Sequence, residues 1–86
     1  PTGLFASPGM FSVALSWNPG REPDIRMYEV YMAQGEEWIK LGAFASPMAL
    51  LEDLAADTEY QFAVKALDAD GHGSLLSPPV KVRTLK

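Results

Sequence analysis

The chain is 86 residues long, carries a formal net charge of −4, and contains no cysteine. A chain of this length supports one small hydrophobic core, and the lack of cysteine excludes disulfides, thiolate metal sites and a cysteine nucleophile. Seven scattered basic residues against eleven acidic ones exclude a nucleic-acid partner and argue against an acidic membrane surface. No apolar run approaches the ~20 residues of a membrane-spanning helix, so no membrane partner is expected.

Short apolar runs, separated by Pro, Gly, Asp and Asn, predict seven β-strands. In the clearest run Val13, Leu15 and Trp17 alternate with small residues, which is typical of a strand with one buried face. The same alternation puts Phe11 on the core face. The predicted strands cover residues 4–6, 11–17, 25–33, 38–41, 48–51, 60–67 and 80–84. Turn residues end two of these runs, Asn18-Pro19-Gly20 and Asp68-Ala69-Asp70-Gly71.

One stretch, residues 46–54, is also compatible with a helix because it contains good helix formers. It is short, lacks a clear cap and lies between strands, so we predict a strand there. Seven antiparallel strands in a chain of about 100 residues or fewer are typical of a two-sheet sandwich. The predicted fold class is therefore all-β, a seven-stranded antiparallel two-sheet sandwich. Pro78 and Pro79 before the last run predict that this strand lies at a sheet edge.

Several of these runs resemble the fibronectin type III family, and the resemblance covers nearly the whole chain. Trp17 at the end of VALSW resembles the family's core tryptophan, and Leu54 followed by Thr58-Glu59-Tyr60 resembles its leucine and its tyrosine corner. The resemblance implies an immunoglobulin-like sandwich. In such a sandwich, the Tyr60 ring fills one end and its hydroxyl binds an upstream backbone group. The expected structural core residues are Trp17, Tyr28, Leu54, Tyr60 and Phe62.

The resemblance also bears on the parent protein. Residues 6–17 and 23–25 are similar to fibronectin modules of phage and prophage tail-tip host-specificity proteins, and also to spacer modules of secreted bacterial carbohydrate-active enzymes. The chain lacks the Arg-Gly-Asp and Trp-Ser-x-Trp-Ser motifs of integrin-binding and cytokine-receptor modules. We expect residues 1–86 to be a single fibronectin type III module cut from a larger multidomain protein, in a virion tail or outside the cell. We favour the tail-tip parent, in which the module is a non-catalytic spacer or protein-interaction domain, and the accessory module of a carbohydrate-active enzyme is the alternative.

No combination of residues predicts catalysis. His72 is the only histidine, and its neighbour Ser74 does not stand in a Gly-x-Ser-x-Gly elbow. Asp68, Asp70 and His72 imitate the start of a calcium loop, but Pro79 stands where that loop needs a bidentate glutamate. We therefore interpret the two aspartates as turn formers. We expect no enzyme activity, no metal and no cofactor.

A contact surface is the remaining functional candidate. Strand alternation puts Met27 and Tyr31 on the face opposite the buried Tyr28, and Trp38 is expected on a neighbouring strand. Side chains on adjacent strands of one face lie close enough to merge into an apolar patch. Met27, Tyr31 and Trp38 are therefore the expected interaction surface. Its expected partner is a flanking domain of the same chain or a partner protein, while a carbohydrate would bind only weakly.

Overall fold

The computed structural model describes residues 2–18, 25–74 and 76–86. Within them, seven strands form two antiparallel sheets. The strands are β1 (Thr2–Pro8), β2 (Val13–Asn18), β3 (Ile25–Gln34), β4 (Glu37–Phe44), β5 (Met48–Leu51), β6 (Glu59–Asp68) and β7 (Val80–Arg83). One sheet has the order β1-β2-β5 and the other β4-β3-β6-β7. The predicted all-β, two-sheet fold is confirmed, and β5 replaces the helix alternative.

Two sequence features fall outside the described residues. One is the turn predicted at Pro19-Gly20, and the other is the Pro23-Asp24 pair that contributes to the family resemblance. Across the part of the chain that the structure does describe, there is no apolar helix of bilayer-spanning length.

The core lies between the two sheets. Val13, Leu15 and Trp17 of β2 point inward at every second position, as the period of two predicts, and they meet side chains of β3 and β6. Trp17 is only 5% exposed and packs edge-on against Tyr28, with 5.4 Å between ring centroids. Phe62 is fully buried in the same cluster, while Leu54 and Tyr60 are partly buried against its end.

The prediction that Phe11 belongs to the core is wrong. The side chain is 58% exposed, and β2 begins only at Val13. A tight turn precedes the strand, in which the Gly9 N–H donates to the Ser12 carbonyl at 2.8 Å. Phe11 lies within that turn, so the alternation of the strand does not extend to it.

At the pole where the loop between β5 and β6 lies, Tyr60 ties that loop to β6. The Ala55 N–H donates to the Tyr60 hydroxyl at 2.9 Å, so the predicted bond to an upstream backbone group is present. The Tyr60 ring stacks on Phe62 with 6.0 Å between centroids. The hydroxyl and the ring therefore stabilise the loop in two separable ways.

Replacing Tyr60 by phenylalanine should lower the free energy of unfolding by about 0.5–1.5 kcal/mol, the net value of one hydrogen bond. The ring stacking on Phe62 is retained, and the Ala55 N–H is exposed enough to be rehydrated. Urea denaturation of the two proteins measures the difference. A midpoint equal to that of the wild type would show that the corner bond contributes nothing.

Near the edge of the four-stranded sheet, two serines pair with β6 where β7 does not reach it. The Ser77 N–H donates to the Val64 carbonyl at 2.8 Å, and the Ser77 hydroxyl accepts from the Val64 N–H at 2.9 Å. Ser74 makes the same pair of bonds to Ala66, at 2.8 and 3.0 Å. The two prolines before β7 have no N–H to give to a ladder, and β7 lies at the predicted edge position.

The ends of the described chain lie at opposite poles of the sandwich. Thr2 pairs with Asn18, the last residue of β2. The Leu85 N–H donates to the Gly9 carbonyl, just beyond the other end of β1. The longest dimension is 40 Å, and a ten-residue strand such as β3 spans roughly 33 Å, so the strands run along this axis.

Candidate functional site

The strand register places all three predicted surface residues on the outer face of the four-stranded sheet. Met27 lies opposite Leu67, Tyr31 lies opposite Lys40, and Trp38 lies opposite Ala33, two positions from Tyr31 along β3. Tyr31 and Trp38 are therefore diagonal neighbours on adjacent strands. Trp38 is 38% exposed, whereas Met27 and Tyr31 are half-buried.

A polar network divides this face. Glu29 lies between Met27 and Tyr31 on β3 and is only 9% exposed. Its Oε1 atom accepts a 2.7 Å hydrogen bond from the Tyr31 hydroxyl, and its Oε2 atom lies 2.6 Å from Lys40 Nζ. The Glu29–Lys40 ion pair therefore lies among the three predicted residues, and the Tyr31 hydroxyl is already bonded to it, so they do not form one continuous apolar patch.

The network shifts the pKa values of Glu29 and Tyr31 in opposite directions. The bond to Lys40, followed by the one from Tyr31, holds the pKa of Glu29 below its ordinary value of 4.5. The bond to the Glu29 carboxylate, together with burial, raises the pKa of Tyr31, because loss of the phenol proton would place two negative charges side by side. At neutral pH Glu29 is therefore charged and Tyr31 is a neutral donor.

Replacing Glu29 by glutamine should lower the stability at pH 7 by about 1–2 kcal/mol, because a neutral amide removes the charge from the bonds with Lys40 and Tyr31. The Lys40 side chain is half-exposed, so solvent screening keeps the loss at this modest size. A lowered folded-state pKa stabilises the protein above pH 4.5, and this stabilisation is lost as the pH falls through the lowered value.

Thermal unfolding of wild type and Glu29→Gln from pH 3 to pH 7 tests this, with Glu36→Gln in an exposed turn as the matched control. We expect the difference in melting temperature between wild type and Glu29→Gln to vanish at low pH, and the melting temperature of the control to follow that of the wild type at every pH. A gap that persists unchanged at pH 3 would contradict the ionic origin of the effect.

Asp68 organises the loop that follows β6. Its Oδ1 atom accepts from the backbone N–H groups of Asp70 at 2.9 Å and His72 at 2.8 Å, and its Oδ2 atom lies 3.3 Å from His72 Nδ1. The bond from the His72 backbone is the main cause of a lowered Asp68 pKa. Gly71 has a φ of +83°, which the turn requires and which glycine adopts without strain.

Asp68, Asp70 and His72 could also offer ligand atoms to a cation, since these atoms lie within 4.8 Å of one another. One Asp68 oxygen, however, is already shared between two backbone donors. The arrangement is that of a side chain that closes a turn.

Adding or chelating calcium should accordingly leave the melting temperature unchanged, both in the wild type and in an Asp68→Asn, Asp70→Asn double variant. Differential scanning calorimetry with calcium chloride or EDTA measures this. A calcium-dependent rise in the wild type alone, of the size produced by a ligand that binds only the native state, would contradict the turn-former interpretation.

A second exposed surface, on the outer face of the three-stranded sheet, was missed in the sequence. Phe5, Met48 and Leu50, on the edge strands β1 and β5, are between 58% and 63% exposed. The central strand β2 presents Ala14 and Ser16 between them, with Phe5 and Met48 on either side of Ser16. Large side chains along both edges and small ones in the middle form an apolar groove of about 380 Å³.

The sequence profile of the fibronectin type III domain matches residues 5–83. Receptor-type tyrosine-protein phosphatase S of Gallus gallus is 34% identical over 77 residues, which are 87% of this chain and 5% of that protein. The chain therefore corresponds to a small part of this relative.

Solved structures show the same fold. A crystal structure of domains from titin superimposes with a TM-score of 0.88 at 27% identity, over 100% of this chain and 32% of that one. The family 28 exopolygalacturonase of Yersinia enterocolitica gives a TM-score of 0.87 at 21% identity, over 99% of this chain and 20% of that one. At that identity the second likeness shows the fold alone. From the profile match and the two-sheet sandwich, the chain belongs to the fibronectin type III domain family.

Proposed function

We propose that this domain is a non-catalytic spacer and protein-interaction module of a larger protein, with residues 1–86 forming a single module. The observation that carries the proposal is the position of the chain ends. Thr2 and Leu85 lie at opposite poles of a sandwich whose longest dimension is 40 Å. Segments attached at the two ends would be held apart by the whole length of a hydrogen-bonded sandwich.

A phage or prophage tail protein is the first candidate parent. This candidate follows the resemblance to tail-tip modules that residues 6–17 and 23–25 suggest from the sequence alone, and residues 23 and 24 lie outside the described structure. An extended, assembled particle has a use for rigid spacers without catalytic groups. In that case the module would be located in the virion tail.

A secreted carbohydrate-active enzyme is the second candidate parent. The Yersinia exopolygalacturonase contains the same fold within its longer chain, and the partly exposed ring of Trp38 could stack on a sugar. A single partly exposed ring offers one stacking surface, so it would bind a polysaccharide only weakly. The module would then be an extracellular accessory domain.

Exchange of the module within its parent chain tests the spacer role. We expect a fibronectin type III domain of equal length to restore the activity of the parent, whereas deletion of residues 2–86 abolishes or reduces it. The adjoining coding sequence separates the two parents, because a glycosidase domain favours the enzyme and a long β-rich protein favours the tail. Full activity after deletion would contradict the spacer role.

The outer face around Met27, Tyr31 and Trp38 is the proposed contact with a flanking domain. Replacing Tyr31 and Trp38 by serine should lower the stability through loss of the Tyr31–Glu29 bond but leave the domain folded, because neither ring belongs to the buried cluster. Titration calorimetry with the flanking domain should show weaker association. Lys81→Ser, on the far edge of the same face, is the matched control. Unchanged association of the double variant would contradict this contact.

A further inference from the structure

The groove on the three-stranded sheet continues toward one pole of the molecule. Leu50 lines this groove and also a second one, which is lined by Met10, Phe11, Glu52 and Asp53. Met10 and Phe11 are about half exposed. The two grooves therefore make one track, which is apolar on the sheet face and becomes polar at its far end, beside two carboxylates.

Charge is distributed unevenly along this track. Residues 2–18 and 41–51, which supply β1, β2 and β5, contain no charged side chain. The charges on the track are those of Glu52 and Asp53, at its end. On the other sheet, by contrast, Glu29 and Lys40 pair with each other. A ligand that follows the track would meet an apolar surface and then a negative pole.

The dimensions of the face favour a narrow ligand. Three strands spaced about 4.8 Å apart, with six residues of about 3.3 Å rise in β2, cover roughly 200–300 Å². A stable interface between two globular proteins needs about 800 Å² from each partner. The face is therefore too small for a stable dimer formed by a second copy, but it is large enough for one extended segment of about six residues.

We propose that this track binds an extended peptide segment of a partner protein, with apolar side chains at alternate positions and Lys or Arg at the end that reaches Glu52 and Asp53. Alternate side chains of an extended chain point the same way, so two or three of them can enter the groove between Phe5 and Leu50. The basic end complements the charges of Glu52 and Asp53, which form the acidic rim of the track. The inference specifies the interaction role proposed above, but it uses the opposite sheet and is independent of the spacer geometry.

Selection from a yeast-displayed library of random peptides tests the proposal. Peptides of about twelve residues are long enough to follow the sandwich. We expect the wild type to enrich sequences with apolar residues at i and i+2 next to Lys or Arg. Their synthetic versions should bind Met48→Thr, Leu50→Thr at least tenfold more weakly. Both side chains are exposed, so threonine, a good strand residue, leaves the fold intact. The matched control is Tyr31→Ser, Trp38→Ser, on the opposite sheet, which should bind as the wild type does.

The acidic rim is tested with Glu52→Gln, Asp53→Asn. Asp53 has a φ of 60°, a conformation that asparagine tolerates well, so the change removes charge without straining the backbone. The selected peptides should bind this variant several-fold more weakly and with less dependence on salt. No enrichment, or equal binding to the Met48→Thr, Leu50→Thr variant, would overturn the proposal. So would concentration-dependent dimerisation in ultracentrifugation that this variant abolishes, since the occupant would then be a second copy.

Discussion

Replacing Trp17 by alanine should lower the free energy of unfolding by about 3–5 kcal/mol, because it leaves a cavity at the centre of the sandwich. Trp17 is 5% exposed and packs against the ring of Tyr28 at 5.4 Å. Its strand supplies the three-stranded sheet's main contribution to the core, with Val13 and Leu15 beside it. In a domain of this size, such a loss is a large part of the total stability.

Phenylalanine at position 17 provides the sharper test. Within the described part of the chain, Trp17 Nε1 is buried and has no hydrogen-bond partner. Trp17→Phe keeps an aromatic ring against Tyr28 and removes this unpaired donor, so we expect it to cost less than half as much as Trp17→Ala. Urea denaturation of both variants gives the comparison. Equal losses for the two substitutions would contradict this expectation, because the phenyl ring would then recover none of the packing of the indole against Tyr28.

Replacing Thr84 by valine should cost about 2–4 kcal/mol although the two side chains have nearly the same shape. Thr84 is 2% exposed. Its hydroxyl accepts from the Thr58 N–H at 3.0 Å and donates to the Ala55 carbonyl at 2.6 Å. Valine leaves both backbone groups without this partner, at about 1–3 kcal/mol each. These bonds tie the chain after β7 to the loop before β6.

Thr84→Ser is the matched control, because it keeps the hydroxyl and removes only a methyl group, worth about 1 kcal/mol. Chemical denaturation of the wild type and both variants should therefore rank serine above valine. A valine variant as stable as the serine variant would mean that packing, and not hydrogen bonding, accounts for the burial of Thr84.

Periodicity predicted most of the fold because the core strands obey it. Val13, Leu15 and Trp17 alternate without interruption, and each inward position is filled from the opposite sheet. The predicted burial of Phe11 was wrong because a turn comes before the strand. A backbone hydrogen bond at Gly9 forms this turn, and the apolar pattern does not show it. Alternation thus identifies a strand better than it locates the first residue of that strand.

The face of Trp38 could not be predicted from alternation alone. In the register of β3 with β4, Val30 lies opposite Gly42 and Tyr31 lies opposite Lys40, so Leu41 is an extra residue in a β-bulge. Such a bulge exchanges the faces of the residues on its two sides. Trp38 and Lys40 therefore face outward while Phe44, at the other end of β4, packs against the core.

The groove on the three-stranded sheet could not be predicted from the sequence for a different reason. Its sides come from Phe5 and from Met48 and Leu50, which lie more than forty positions apart in sequence and become neighbours only through β2. In the sequence, Ala14 and Ser16 indicate an ordinary solvated face. Only the pairing of three strands shows that these small residues form the floor of an apolar groove.

We propose that the domain is a rigid spacer whose ends point in opposite directions. Small-angle X-ray scattering of two copies, joined from Lys86 of the first to Thr2 of the second, tests it most directly. We expect a maximum dimension about twice the 40 Å long axis of one domain, with each copy as stable as the single domain. A compact particle hardly longer than one domain would contradict the spacer function.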